Sequence, residues 1–279
     1  MNNVNVCNQR MPLLSILIPA YENAEGVIRI IKLIPPESSN LIEVLVSDDS
    51  SSMVVSEAIK LWNATEKINV NYFAHTPTGN AVDNWNFLLG AAEGQYVQFI
   101  HHDEWPLSTD YFPILLESIE DSIHDLFIVN CVLFESGRTR RHSSSNLKRL
   151  IMREKKYGLL LSRNVIGSPS NIVFRHDMEI EFDRNLKWNV DVEFFVRLCS
   201  SCASIFVFKS LSMASDLDHA YTITASIKTR LSSIQKSEFD YLYSVLKYEK
   251  PSLIESALLL LVHGIEQCFY KLRSVSSYK

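Results

Sequence analysis

Four consecutive residues, His101, His102, Asp103 and Glu104, put two imidazoles and two carboxylates side by side. Carboxylate oxygens bind hard divalent cations, and a bound cation neutralises the charge of a phosphate-bearing ligand. Imidazole ligates metals or carries protons. The four follow Gly94 and the β-forming residues Tyr96, Val97, Phe99 and Ile100, so they lie at the C-terminal end of a strand. An open α/β sheet presents its ligands at that end. A polar surface turn has the same composition, and these residues alone leave both readings open. A second acidic pair, Asp191 and Glu193, lies far along the chain in KWNVDVEFFVRL (187–198). That segment reads as a helix, on which residues two apart point about 200° apart, so only one of the pair can face a given cleft.

The elements that must position these groups follow a regular alternation. Residues 13–19 (LLSILIP) are an apolar run ended by proline, the pattern of a strand buried on both faces. A helical stripe over 24–34 is stopped by Pro35 and Pro36. A strand at 42–46 leads into the loop SDDSSS (47–52), and a helix follows over 53–63. A strand at 68–73, a turn through Pro77 and Gly79, a helix over 81–92 and the strand at 95–100 complete the series. This β-α-β-α-β-α-β order predicts an α/β fold with a mostly parallel sheet, helices on both faces and loops gathered at one edge. Beyond it the spacing predicts helices over 110–123 and 187–198 and strands at 126–134, 171–174 and 205–208. Residues 137–156 are basic and read either as a solvated loop or as a segment that meets an anionic partner. From 216 the alternation stops, and two amphipathic helices are expected over 231–246 and 251–272. The second ends in Lys271 and Arg273 and either packs on its own domain or lies on a membrane surface.

Composition excludes several classes. A chain of 279 residues with 47% hydrophobic and 21% charged residues is ordinary for a globular protein. A net charge of −5 argues against a general nucleic-acid binder. Five scattered cysteines suit a reducing cytoplasm, and the lone CxxC, Cys199 to Cys202, lacks the second pair of a zinc site. The polar residues 1–10 do not form a secretory signal, and no run reaches the ~18 apolar residues of a membrane span.

Four blocks, SILIPAYEN (15–23), VSDDSSS (46–52), NWNFLLGAAEGQYVQFIHHDE (84–104) and NVDVEFFVRL (189–198), occur in an order that resembles the inverting family-2 glycosyltransferases of GT-A fold. With IGSPSNIVFR (166–175), they are similar to bacterial enzymes that build surface polysaccharide such as O-antigen. The resemblance implies a Rossmann-like GT-A domain over 12–215, with a nucleotide-binding half at 12–105 and an acceptor half at 106–215. Residues 216–279 would then be a C-terminal helical appendage. It implies that Pro19, Ala20, Tyr21 and Glu22 line the base and ribose of a nucleotide-diphosphate sugar. Asp48 would accept from the base N–H, with Asp49 beside it. The family's DxD metal motif falls on His101-His102-Asp103, so Asp103 would hold a divalent cation, Mn2+ or Mg2+, and His101 stands where the first aspartate is usual. Trp85 stands where an arginine is usual, and the nucleotide-contacting Asn86 is retained. Asp191 falls on the catalytic base, with Glu193 adjacent. The acceptor would be a glycan, lipid-linked by analogy, and the protein cytoplasmic with peripheral contact to the inner membrane face. A nucleotide-sugar binder without turnover is the alternative. A nucleotidyltransferase is a weaker one, because AYENAEG (20–26) is acidic where such enzymes carry a glycine-rich basic loop.

Overall fold

The structure, a computed structural model, describes residues 11–75, 80–143, 145–218, 231–258, 260–262 and 264–265. The first half follows the alternation read from the sequence. Strands β1 (Leu14–Ala20), β2 (Ile42–Asp48), β3 (Val70–Ala74) and β4 (Tyr96–Phe99) alternate with helices α1 (Ala24–Lys32), α2 (Val54–Thr65) and α3 (Ala81–Ala91). They pair in parallel in the order β3-β2-β1-β4. The expected turn through Pro77 and Gly79 lies outside the described residues.

The second half departs from the simple pattern. After β4 come β5 (Glu104–Pro106), α4 (Tyr111–Ile119), β6 (Leu126–Glu135) and β7 (Arg138–Arg141). Helices α5 (Ser145–Arg153) and α6 (Leu159–Ser162), strand β8 (Ile172–Arg175), helix α7 (Val190–Ser201) and strand β9 (Ile205–Asp216) follow. The sheet continues from β4 through β8, β6 and β9 to β5, with β7 on the side of β6. Strand β8 is antiparallel to both β4 and β6, and β5 is antiparallel to β9, so the sheet is mixed beyond β4. The basic stretch 137–156 is not a loop: its first part forms a hairpin strand on β6 and its second part forms α5. The reason is packing, since Leu147, Ile151 and Met152 give α5 a buried apolar face.

Two apolar clusters cover the two faces. Ile16, Ile18, Val44 and Val46 point to the face packed by α1, α2 and α4, while Leu17 and Leu45 point to the face packed by α3, α5 and α7. Period-two alternation inside uniformly apolar strands therefore builds two cores from one run of residues. After β9, helix α8 (Leu231–Asp240) and a π-helical turn (Tyr241–Val245) pack back, and Leu242 is fully buried in the second of these cores. Helical residues 253–258 and 260–262 belong to the expected last helix, whose basic end at Lys271 and Arg273 lies outside the described residues.

One glycine sets the geometry next to the ligand-bearing segment. A Cβ on Gly26 would sit 1.9 Å from the carbonyl oxygen of His102, so only glycine lets the first turn of α1 press against the end of β4. Asn23, the N-cap of α1, accepts from the Gly26 N–H at 2.9 Å and donates from Nδ2 to the same His102 carbonyl at 3.2 Å.

Candidate active site

The C-terminal ends of β1, β2 and β4 form one continuous edge. Glu22, in the left-handed region at φ 51°, donates its N–H to Ser50 Oγ at 2.7 Å. Its carboxylate accepts from the N–H groups of Ser51 and Ser52 at 2.7 and 3.1 Å and from the Ser52 hydroxyl. The Ser52 hydroxyl, then these N–H groups, hold the Glu22 carboxyl below its usual range. Asp48 is buried and doubly engaged: Oδ1 accepts from the Ser50 N–H at 2.9 Å and Oδ2 from the Tyr72 hydroxyl at 2.8 Å. Glu22 and Asp48 thus lock the two loops together. Asp49 is differently placed. Its N–H donates to the Ala20 carbonyl at 3.1 Å, and burial raises its carboxyl above the usual range, offset by His75 and an Asn84 hydrogen bond. Tyr21 is 40% exposed at the mouth of this edge. His102 closes it, with Nδ1 3.3 Å from the Pro19 carbonyl oxygen.

The segment His101–Glu104 splits into parts with different fates. Glu104 opens β5 and is buried, where it accepts from the hydroxyls of Ser168, at 2.7 Å, and Ser170, with Ser215 a third partner. Burial and the neighbouring Asp103 carboxylate push Glu104 upward despite these hydroxyls. It serves the framework and is not an open ligand. His101 is stacked on Trp85 at 5.1 Å, and burial lowers it to about 4, so its imidazole is neutral. Its Nε2 is buried with no hydrogen-bond partner among the described residues. Asp103 is half-buried, has no side-chain hydrogen bond among the described residues and lies in the field of Arg29, whose guanidinium covers Trp105 at 3.7 Å.

These residues fit a divalent cation in one way only. No group of three His, Cys, Asp or Glu side chains able to cage a metal occurs among the described residues. Asp103 offers one hard oxygen ligand. Magnesium-like ions are commonly held by one or two carboxylates together with ligand phosphates and water, which suits this donor set.

Across the sheet, Asp191 sits in the first turn of α7, half-buried and without a side-chain hydrogen bond among the described residues. Desolvation raises its carboxyl to about 7. Glu193 has the opposite fate. It is buried, pairs with Arg197 Nε at 2.5 Å and Nη2 at 2.7 Å, and accepts from the Tyr248 hydroxyl at 2.9 Å. Aromatic contacts tie this helix to α3, on which His101 stacks through Trp85: Trp85 meets Phe182 at 5.1 Å and Phe182 stacks on Phe194 at 4.0 Å. Asn86 fixes the middle of that chain. Its Nδ2 donates to the Phe182 carbonyl at 2.9 Å and its Oδ1 accepts from the Phe182 N–H at 2.8 Å. Both ends of the amide are spent on backbone, so Asn86 supports the site and does not line it.

Sequence reasoning missed Glu238. This buried carboxylate from α8 accepts from the N–H groups of Lys187, Trp188 and Asn189 at 2.5, 2.9 and 2.8 Å, just ahead of α7. No local signal could find it, because its partners lie about 50 residues earlier. The CxxC cysteines are free thiols, Cys199 buried and Cys202 half-buried, as a structural reading expects. No helix of the described residues is long and apolar enough to cross a membrane.

The sequence profile of glycosyl transferase family 2 matches residues 15–182. An uncharacterised protein of Mycobacterium tuberculosis (strain CDC 1551 / Oshkosh) is 25% identical over 226 residues, covering 74% of this chain and 68% of that protein. S. aureus TarS 1–349 in complex with UDP-GlcNAc is similar in structure, with a TM-score of 0.58 and 18% identity over 76% of this chain and 60% of that one. This chain therefore spans less than two thirds of that TarS chain. The mannosyltransferase PcManGT from Pyrobaculum calidifontis, in complex with GDP-Man and Mn2+, has a TM-score of 0.58 at 13% identity, over 90% of this chain and 68% of its own. At such identities the structural likeness speaks for the fold. The profile match takes in more than half of the chain, from β1 through the metal-motif strand to Phe182, and the chain belongs to glycosyl transferase family 2.

Proposed function

We propose that the protein is an inverting glycosyltransferase that moves a hexosyl or deoxyhexosyl group from a nucleotide-diphosphate sugar to a glycan acceptor in bacterial surface-polysaccharide synthesis. The observation that carries this is Asp191: a first-turn carboxylate with no described hydrogen-bond partner, lifted by desolvation to about 7, where a general base works well near neutral pH. The nucleotide lies along the edge of Pro19 to Glu22 and Asp48 to Asp49, with Tyr21 and Asp49 as its contacting side chains. That TarS and PcManGT are held with UDP-GlcNAc and GDP-Man supports this donor class. Asp103 faces the diphosphate, and a divalent cation held there supplies charge neutralisation for the departing group.

The chemistry balances in one displacement. The acceptor hydroxyl oxygen bonds to the anomeric carbon while the bond from that carbon to the diphosphate oxygen breaks. The hydroxyl proton passes to Asp191, and the electron pair leaves with the nucleotide diphosphate. Attack from the face opposite the leaving group inverts the anomeric centre. Glu193 cannot share the role of base, because Arg197 and Tyr248 occupy its carboxylate. A second reading, a nucleotide-sugar binder without turnover, is favoured by one feature, the half-buried neutral His101 where the family's first aspartate is usual.

The location proposed is cytoplasmic, peripheral on the inner membrane face. Leu253, Ile254, Leu260 and Leu261 leave the last helix apolar and exposed, as a helix lying on lipid would be. Flotation with phosphatidylglycerol vesicles tests this, and no binding at low salt rejects it.

Asp191→Asn should leave nucleotide-sugar affinity intact and reduce kcat by roughly a hundredfold or more. Wild-type activity should fall as pH drops through about 7, because the base is then protonated. The same shift makes a stability prediction. The folded carboxyl is raised from 3.8, so its ionisation opposes folding increasingly from pH 3.8 to about 7 and fully above that. Asp191→Asn should therefore hold or raise the melting temperature at pH 8. Glu193→Gln should lower stability by roughly 1.5–3 kcal/mol through the loss of charged hydrogen bonds. Full turnover in Asp191→Asn would reject Asp191 as the base.

Asp103→Asn should remove the manganese-dependent part of nucleotide-diphosphate affinity while the fold persists. Titration calorimetry with UDP and GDP, each with and without manganese, reads this. Equal affinity in wild type and variant in the presence of manganese would sink the assignment.

A further inference from the structure

Part of the basic stretch 137–156 lies near Arg163 through the strand β7. Strand register pairs Glu104 with Ser215, Ser215 with Leu133, and Leu133 with Arg140, one row across β5, β9, β6 and β7. Residues paired across adjacent strands share a face, so Arg140 stands on the Glu104 face of the sheet. Three strand spacings of roughly 4.8 Å put it about 14 Å from Glu104. His142 is two residues on, with its N–H on the Cys131 carbonyl at 2.9 Å and Nε2 donating to the Asn164 carbonyl at 2.8 Å. Arg163 directly precedes Asn164. Lys148 is fully buried close by, with Nζ donating to the Val129 carbonyl at 2.9 Å.

The cations act on one another and on the His142 imidazole. Burial lowers the Arg163 guanidinium, and Arg140 lowers it further. Burial lowers His142 to about 4, and Lys148, Arg163 and Arg140 all add to that. Burial likewise lowers Lys148 to about 8. The Arg163 side chain makes no hydrogen bond or ion pair among the described residues, and its Nε is buried without a partner. Among the described residues, the carboxylate in ion-pair range of Arg140 is Glu135, at 3.7 Å. Two guanidiniums in one neighbourhood favour a bound anion. Guanidinium pairs suit phosphate, whose several oxygens accept from both forks.

We propose that Arg140 and Arg163, whose segments are joined by the His142–Asn164 hydrogen bond, form an anion subsite that takes a phosphate group carried by the acceptor. The word acceptor rests on the glycosyl-transfer reading above; the anion site itself does not. The nucleotide edge belongs to β1, β2 and β4, while this cluster belongs to β7 and the segment before β8, so donor and acceptor phosphates have separate cradles. Lys148 holds positive potential behind the site.

The test uses the full chain and inorganic pyrophosphate, titrated without divalent metal into wild type, Arg163→Ala and the double variant Arg140→Ala/Arg163→Ala. Removal of two charged contacts should weaken pyrophosphate binding at least tenfold. Without pyrophosphate, Arg163→Ala should melt no lower than wild type, because it relieves repulsion. Unchanged pyrophosphate affinity overturns the subsite, and so does a lower melting temperature of the free variant, which makes the guanidinium a structural brace. Flotation with phosphatidylglycerol vesicles separates the phosphate sources. A double variant that loses vesicle binding but keeps pyrophosphate affinity overturns the proposal in favour of a bilayer contact. One that loses pyrophosphate affinity and keeps vesicle binding supports it. Asp191→Asn should bind pyrophosphate as wild type does, so failure of the transfer reading leaves this result readable.

Discussion

The buried carboxylate of Glu104 is the constraint on which the site depends. A carboxylate removed from water must find hydrogen-bond donors, and Glu104 finds serine hydroxyls from two distant segments: Ser168 and Ser170 before β8, and Ser215 in β9. That requirement draws β5 against β9 and brings the segment before β8 to the end of β4. With Glu104 drawn inward, Asp103 is left half-buried and without a side-chain hydrogen bond among the described residues. Asn171 completes the joint by donating to the Asn130 carbonyl of β6 at 3.1 Å.

The two sides of the candidate site are then fixed by different physics. The edge at the ends of β1 and β2 is held by hydrogen bonds between loops, with Glu22 and Asp48 spent on Ser50 to Ser52 and Tyr72. The base helix is held by aromatic packing on one side, through Trp85, Phe182 and Phe194, and by charge on the other. Glu238 gathers the N–H groups ahead of α7, and Tyr248 with Arg197 neutralises Glu193. Both anchors, Glu238 and Tyr248, lie in the segment after β9, so what reads as an appendage steadies α7 and the turn ahead of it. Asp191 receives none of these partners. Its desolvation therefore goes unopposed, and its carboxyl is raised to about 7.

Much of this was legible from local pattern. The βα alternation, the loops at the ends of β1 and β2 and the metal-motif strand follow from apolar runs, prolines and serine clusters, all read over a few residues. Asp191 came only from the family resemblance, since an acid in a first helical turn is common. What escaped was long-range. Glu104 looks like Asp103 until Ser168 and Ser170 are known to reach it. Asn86 looks like a nucleotide contact until Phe182 claims its amide. The segment 137–156 looks like a charged loop because its apolar residues are outnumbered, yet Leu147, Ile151 and Met152 suffice to seat α5 once β6 and β9 provide a surface. Local composition cannot reveal partners 64 or 96 residues away.

The central claim is a single displacement in which Asp191 takes the acceptor proton on the side opposite the diphosphate. Its stereochemical consequence can be measured directly. A nucleotide sugar that raises the melting temperature is supplied with an acceptor, and proton NMR reads the anomeric configuration of the first product formed. The account predicts an anomer inverted relative to the donor. A first product with the donor's configuration retained would contradict it.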